Sequence, residues 1–143
     1  MRAIRSDGPA PRSTAMGILS CACLFAARAN AILLVRVRDF DKWYLAGGKI
    51  EPGETAEAAL RRELDEELSV NLRSEELRYR NTFEGSAYGR SGRVRLICFE
   101  PLIPFQPIAR GEISELAWMD DTDLDKFAPA IRTLYRSWRT GHF

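Results

Sequence analysis

Apolar positions change their period several times along the chain, and each change marks an element. Residues 16–27 and 31–38 are nearly continuous apolar runs, divided by Arg28-Ala29-Asn30. The second run carries the β-branched Ile32, Val35 and Val37, so both read as strands, and together they predict a β-hairpin. Residues 39–42 form a polar turn, residues 43–45 a short strand, and residues 46–53 a Gly-rich loop. The period then becomes helical. Leu60, Leu64 and Leu68 recur at i, i+4 behind Thr55, a good N-cap, which predicts a helix over 56–68. Residues 77–84 and 93–102 predict two strands around a loop at 85–92. In the second of these, Val94, Leu96 and Cys98 alternate with Arg93, Arg95 and Ile97, as one half-buried strand should. Pro104 and Pro107 interrupt the pattern. Residues 113–119 are a last strand, and Ile131, Leu134, Tyr135 and Trp138 give residues 130–139 the spacing of a closing helix. Strands, helix, strands, helix predicts an α+β fold rather than a regular βαβ array.

Composition adds little to this and excludes more. With 143 residues, 45% of them hydrophobic and 29% charged, the chain has an ordinary soluble balance and enough length for a core without staples. Residues 1–14 hold Gly8, Pro9 and Pro11 with no apolar period and read as a flexible extension, leaving residues 15–143 as a single domain. Arg2, Arg5 and Arg12 before the run at 15–27 imitate a secretion signal. That run is too short to span a bilayer as a helix, so no membrane partner is expected, and its apolar pattern also reads as a strand. The one histidine, His142, rules against a Ser-His-Asp triad or a multi-His zinc site. Cys21, Cys23 and Cys98 lack metal or redox spacing and read as small buried hydrophobes in a reducing, cytoplasmic compartment.

Charge changes the picture once it is divided by segment. The net charge is +1, which argues against a polymeric nucleic-acid partner. Residues 51–70 nevertheless hold seven acidic and two basic side chains. Glu63, Glu66 and Glu67 fall at i, i+3 and i+4 on one face of the predicted helix, near its C-terminal end. Like charges at that spacing repel, and the helix dipole disfavours anions there. Acids placed against two local rules point to a missing cation, and hard cations such as Mg²⁺ or Mn²⁺ take carboxylate oxygens.

The segment around these acids resembles the Nudix box, Gly-x5-Glu-x7-Arg-Glu-U-x-Glu-Glu-x-Gly-U, where U is aliphatic. Gly48, Glu54, Arg62, Glu63, Leu64, Glu66, Glu67 and Val70 all match. Two positions depart from the pattern. Ser69 stands where the box has its late glycine, just past the helix, where glycine usually supplies a left-handed cap. Ala46 stands where many members have proline before Gly-Gly. The resemblance implies a Nudix-type α/β/α sandwich with a mixed sheet, the box helix and a C-terminal helix.

The same resemblance implies metal-dependent hydrolysis of a pyrophosphate bond in a nucleoside diphosphate linked to another group, with Mg²⁺ or Mn²⁺ assisting attack of water on phosphorus. Glu63, Glu66 and Glu67 are then metal ligands, helped by the Gly48 carbonyl, and Glu66 or Glu63 takes the proton of the water. Arg62 and Glu54 are the pair that orients the cluster. Some members add a glutamate from a loop before the last strand, and Glu112 is placed for that, with Glu115 a weaker candidate. The partner is a small-molecule nucleotide. Arg36 and Arg38 could meet its phosphates, and Tyr88 with Arg90, Arg93 and Arg95 could stack on and hold it. Two other classes use the same fold: a nucleotide-binding sensor without turnover, and an isoprenoid diphosphate isomerase. The first usually lacks box carboxylates that are present here. The second needs cysteine and glutamate machinery for which Cys98 alone is poor support.

Overall fold

The computed structural model describes residues 17–87 and 92–143. The expected N-terminal extension, Tyr88 and Arg90 lie outside the described residues. The strands are β1 (Ile18–Leu24), β2 (Ala27–Arg28), β3 (Ala31–Val37), β4 (Trp43–Tyr44), β5 (Gly47–Lys49), β6 (Leu77–Ser86), β7 (Arg93–Pro101) and β8 (Ile113–Met119). Helix α1 covers Ala56–Leu68 and α2 covers Pro129–Arg139, with 3-10 turns at Ser74–Glu76 and Asp121–Lys126. Both helices appear where the apolar period places them, α2 one residue early because Pro129 fits the first helical turn.

The strands form two sheets. One runs β5-β1-β7-β6, with β1 antiparallel to β5 but parallel to β7, so it is mixed. In the other, β3 pairs with β8 along one edge and with β2 and β4 along the opposite edge. This corrects the expected hairpin. The two long apolar runs, β1 and β3, lie in different sheets, and only the two-residue β2 folds back on β3. Ala29, at φ 54°, makes that tight reversal. The expected Gly-rich loop is also partly regular, since residues 47–49 form β5.

Burial explains why the sequence could not choose the pairing. Cys21, Cys23, Ile32 and Leu34 face a core closed by Ile131, Leu134 and Tyr135 of α2. Ala22, Leu24, Leu33 and Val35 face a core closed by Leu60, Leu64 and Leu68 of α1. Both strands are covered on both faces, so neither shows the alternation that specifies a neighbour. The result is an α/β/α sandwich. All three cysteines are buried and free, as expected. Among the described residues no helix is long and apolar enough to cross a membrane.

One glycine fixes where the later acidic loop departs. Gly47 has φ +137°, and a Cβ there would lie 2.0 Å from the Ala22 carbonyl oxygen. No other residue lets β5 approach β1 so closely. The antiparallel register sets Gly48 opposite Ala22 and delivers the chain to α1.

Candidate active site

Helix α1 begins with the Thr55 hydroxyl accepting a hydrogen bond from the Ala58 N–H at 3.1 Å. It ends at Ser69, which is left-handed (φ 55°, ψ 32°) and donates its N–H to the Leu64 carbonyl. The departure from the box glycine therefore stands at a position that does need a left-handed residue. The leucine stripe is pressed into the sheets, and Glu63 and Glu67 flank it closely enough to be carried down with it. They are 0% and 2% exposed, against 45% for the side chain of Glu66, further round the helix.

Arg62 ties the loop to this helix. Its Nε and Nη2 donate to the two carboxylate oxygens of Glu54 at 2.6 and 2.8 Å, and its Nη1 donates to Glu63 Oε2 at 2.8 Å. Glu54 Oε1 also accepts the Glu51 N–H at 3.0 Å, closing the turn that precedes the helix. Hydrogen bonds from Arg62 hold the Glu54 carboxyl down at about 2, and the same bonds raise the already high Arg62. Arg62 is thereby fixed as a cation between two carboxylates.

The inner acids behave oppositely. Burial pushes Glu63 up to about 7, in spite of the Arg62 hydrogen bond and charge. Burial, then the charges of Glu63 and Glu112, pushes Glu67 up to about 9. Glu63 Oε1 and both carboxylate oxygens of Glu67 are buried without a hydrogen-bond partner among the described residues. Buried acceptors are ordinarily satisfied, and leaving a carboxylate bare is costly. A hard divalent cation would supply what these oxygens lack, so the donor set fits Mg²⁺ or Mn²⁺. Among the described residues no group of three or more His, Cys, Asp or Glu side chains stands close enough together to hold a metal ion by itself. Glu66 faces outward, 3.7 Å from Arg62 Nη1. An open site with one or two carboxylates suits Mg²⁺, which keeps waters and binds substrate phosphates.

The remaining candidates divide. Gly48 is buried in β5, which packs beside α1. Glu112 lies close enough for its charge to raise Glu67, because residues 108–110 run across the C-terminal end of α1. There the Arg110 N–H donates to the Glu67 carbonyl and the Ile108 N–H to the Leu68 carbonyl, both at 2.8 Å, satisfying helix-end acceptors. Arg38 joins this segment through its N–H to the Glu112 carbonyl at 2.7 Å. Arg36 does not. Its Nε and Nη2 donate to Glu115 Oε2 and its Nη1 to the Phe40 carbonyl, so Arg36 and Glu115 form a cross-strand pair between β3 and β8. The segment at 108–111 is invisible to pattern reasoning, since it has no period and its bonds to the end of α1 join positions far apart in sequence. A cavity of about 480 Å³, lined by Arg28, Arg80, Glu100, Trp118 and Trp138 among others, includes none of the box residues.

Comparison with known proteins bears on the same residues. A family model described as NUDIX domain matches residues 18–138. A Bacillus subtilis protein provisionally named an 8-oxo-dGTP diphosphatase is 50% identical over 43 residues, 30% of this chain and 29% of its own. The nucleoside triphosphatase NudI of an Enterobacter species is 61% identical over 31 residues, 22% of each chain. The matches thus span less than a third of either curated relative. The solution structure of the Escherichia coli ORF135 protein is similar over 86% of this chain and 89% of its own, with 27% identity and a TM-score of 0.65.

Proposed function

The chain belongs to the NUDIX family, and from that premise we propose that it hydrolyses a pyrophosphate bond in a nucleoside diphosphate linked to another group. The cofactor is Mg²⁺ or Mn²⁺. The observation that carries this reading is the pair Glu63 and Glu67, buried side by side with three unpartnered oxygens behind the Arg62 clamp. A cation held there would offset the charge of the acids and of the substrate phosphates and would make a water more acidic.

The residues of the chain divide the remaining work. Glu63 and Glu67 would hold the cation, with Glu66, Glu112 and the Gly48 carbonyl as the further proposed ligands. Glu66 or Glu63 takes the proton of the water, and the exposure of Glu66, the greatest among the box carboxylates, supports Glu66 in that role. Arg62 fixes Glu63 through Oε2 and leaves Oε1 facing the site, while Glu54 fixes Arg62. On the substrate side, Arg38, Tyr88 and Arg90 are the proposed contacts. Arg36 is better read as structural, given its bonds to Glu115 and Phe40. The three free thiols suit a reducing compartment, and we assign the protein to the cytoplasm on that ground.

A panel of deoxynucleoside triphosphates, nucleotide sugars and dinucleoside polyphosphates, incubated with Mg²⁺ or Mn²⁺ and scored by products, tests the reading. Cleavage at a pyrophosphate bond, absent in Glu66→Gln, is the expected result. Cleavage undiminished in EDTA would overturn it. Tight nucleotide binding without turnover in either metal would favour the sensor class instead.

A further inference from the structure

We propose that Ser69 and Arg110 are positioning residues that latch the turn bearing Glu112 against the end of the box helix, setting Glu112 beside Glu67. The proposal rests on reading Glu112 as part of the cation-binding group.

Ser69 occupies a left-handed conformation that any residue with a Cβ resists, at a position where glycine would sit unstrained. What serine has and glycine lacks is a hydroxyl, and the Ser69 Oγ accepts a hydrogen bond from Arg110 Nη1 at 2.9 Å. Arg110 is also held through its main chain, since its N–H donates to the Glu67 carbonyl at 2.8 Å. One residue is thus pinned to the helix end at two points.

Arg110 in turn shapes the next three residues. Its carbonyl accepts the Ile113 N–H at 2.9 Å, which closes a four-residue turn with Gly111 and Glu112 at its centre. Gly111 has φ +58°, and a Cβ there would lie 3.5 Å from the Glu66 carbonyl oxygen, so the turn rests on α1. From the other side Arg38 donates its N–H to the Glu112 carbonyl at 2.7 Å and its Nη2 to the Gly111 carbonyl at 3.3 Å. The direction of Glu112 depends on where Arg110 is anchored, and the side-chain half of that anchor is the Ser69 hydroxyl.

A helix cap with no further role gives a different expectation from a latch. Ser69→Gly relieves the left-handed backbone while deleting the hydroxyl, so stability and positioning separate. The experiment is calorimetric titration of the protein with Mn²⁺ alone, beside thermal melts, for the parent, Ser69→Gly, Ser69→Ala, Arg110→Gln, Glu112→Gln and the Ser69→Gly, Glu112→Gln double variant. The latch predicts Mn²⁺ binding about tenfold weaker in each single variant, the usual scale for losing a residue that orients a ligand. It predicts a melting midpoint for Ser69→Gly at or above the parent, and no added loss when Ser69→Gly is placed on Glu112→Gln. Parent-like Mn²⁺ binding in Ser69→Gly and Arg110→Gln overturns the latch and leaves the hydrolase reading standing. So does an undiminished Ser69→Gly effect in the absence of Glu112. A parent that binds Mn²⁺ but cleaves nothing in the nucleotide panel overturns the hydrolase reading and leaves the latch standing.

Discussion

Arg62 holds Glu54 by two parallel N–H donors, 2.6 Å to Oε2 and 2.8 Å to Oε1, across the join between loop and helix. This fork geometry is specific to a guanidinium. Arg62→Lys should therefore retain the charge and still lose most of the activity, by about 10- to 100-fold. Steady-state kinetics would show the loss in kcat, with KM little changed, because neither residue is proposed to touch the nucleotide.

The same pair gives a pH signature. The Glu54 carboxyl lies at about 2, below its ordinary value near 4.5, so ionised Glu54 stabilises the fold. That contribution is complete above about pH 4.5 and is lost as pH falls toward about 2. Glu54→Gln should cost about 1 kcal/mol at neutral pH, since solvent reaches the pair. The gap between parent and variant melts should narrow across that acid window. A gap that widened on acidification would contradict the assignment.

Glu67 should show stability and activity moving apart. Its two oxygens are buried and unpartnered, close to Glu63. With its carboxyl pushed up to about 9, Glu67 must take up a proton when the metal-free chain folds at neutral pH. Glu67→Gln removes that cost and should stabilise the metal-free state by about 1–3 kcal/mol while abolishing hydrolysis. Denaturant melts in EDTA check the first half, and a product assay in Mg²⁺ the second.

Cation binding should reverse the penalty in the parent. Mn²⁺ at about 100 times its dissociation constant would add about 2.7 kcal/mol of apparent stability. Thermal midpoints should rise with Mn²⁺ concentration, return to baseline in EDTA, and respond weakly in Glu63→Gln.

Gly47→Ala probes the scaffold rather than the chemistry. A Cβ 2.0 Å from the Ala22 carbonyl oxygen cannot be accommodated without parting β5 from β1. The added left-handed strain brings the expected destabilisation to about 3 kcal/mol or more. Circular dichroism melts would register it, and Gly53→Ala, with φ +84° but open space around it, should cost less.

Local features are the ones legible in the sequence. Thr55, the leucine stripe and the residue after Leu68 mark both ends and the buried face of α1, because caps and helical period act within a few residues. The box residues come with that helix. The partners of β1 are not legible, since Cys21 and Cys23 face one core and Ala22 and Leu24 the other, leaving no alternation to read. Arg36 reads as a phosphate contact in sequence, but β8 brings Glu115 across from it. Arg110 is hidden for the same reason, as its bond to Ser69 joins positions 41 apart in sequence. Long-range pairing decides which side chains remain available, and pairing is what pattern reasoning sees least.

The parallel ladder between β1 and β7 has a temporal consequence. Cys21 stands opposite Leu96, and Gly48 stands opposite the neighbouring Ala22 on the other side of β1. As the chain is made, the strand that seats Gly48 and the helix that bears the acids precede β7 by dozens of residues, and Glu112 emerges later still. Until then β1 has an open edge and α1 an incomplete floor. Contacts of such sequence separation form slowly and leave hydrophobic surface exposed meanwhile. A nascent chain stalled before β7 should therefore be helical around Leu60–Leu68 yet unable to retain a divalent cation.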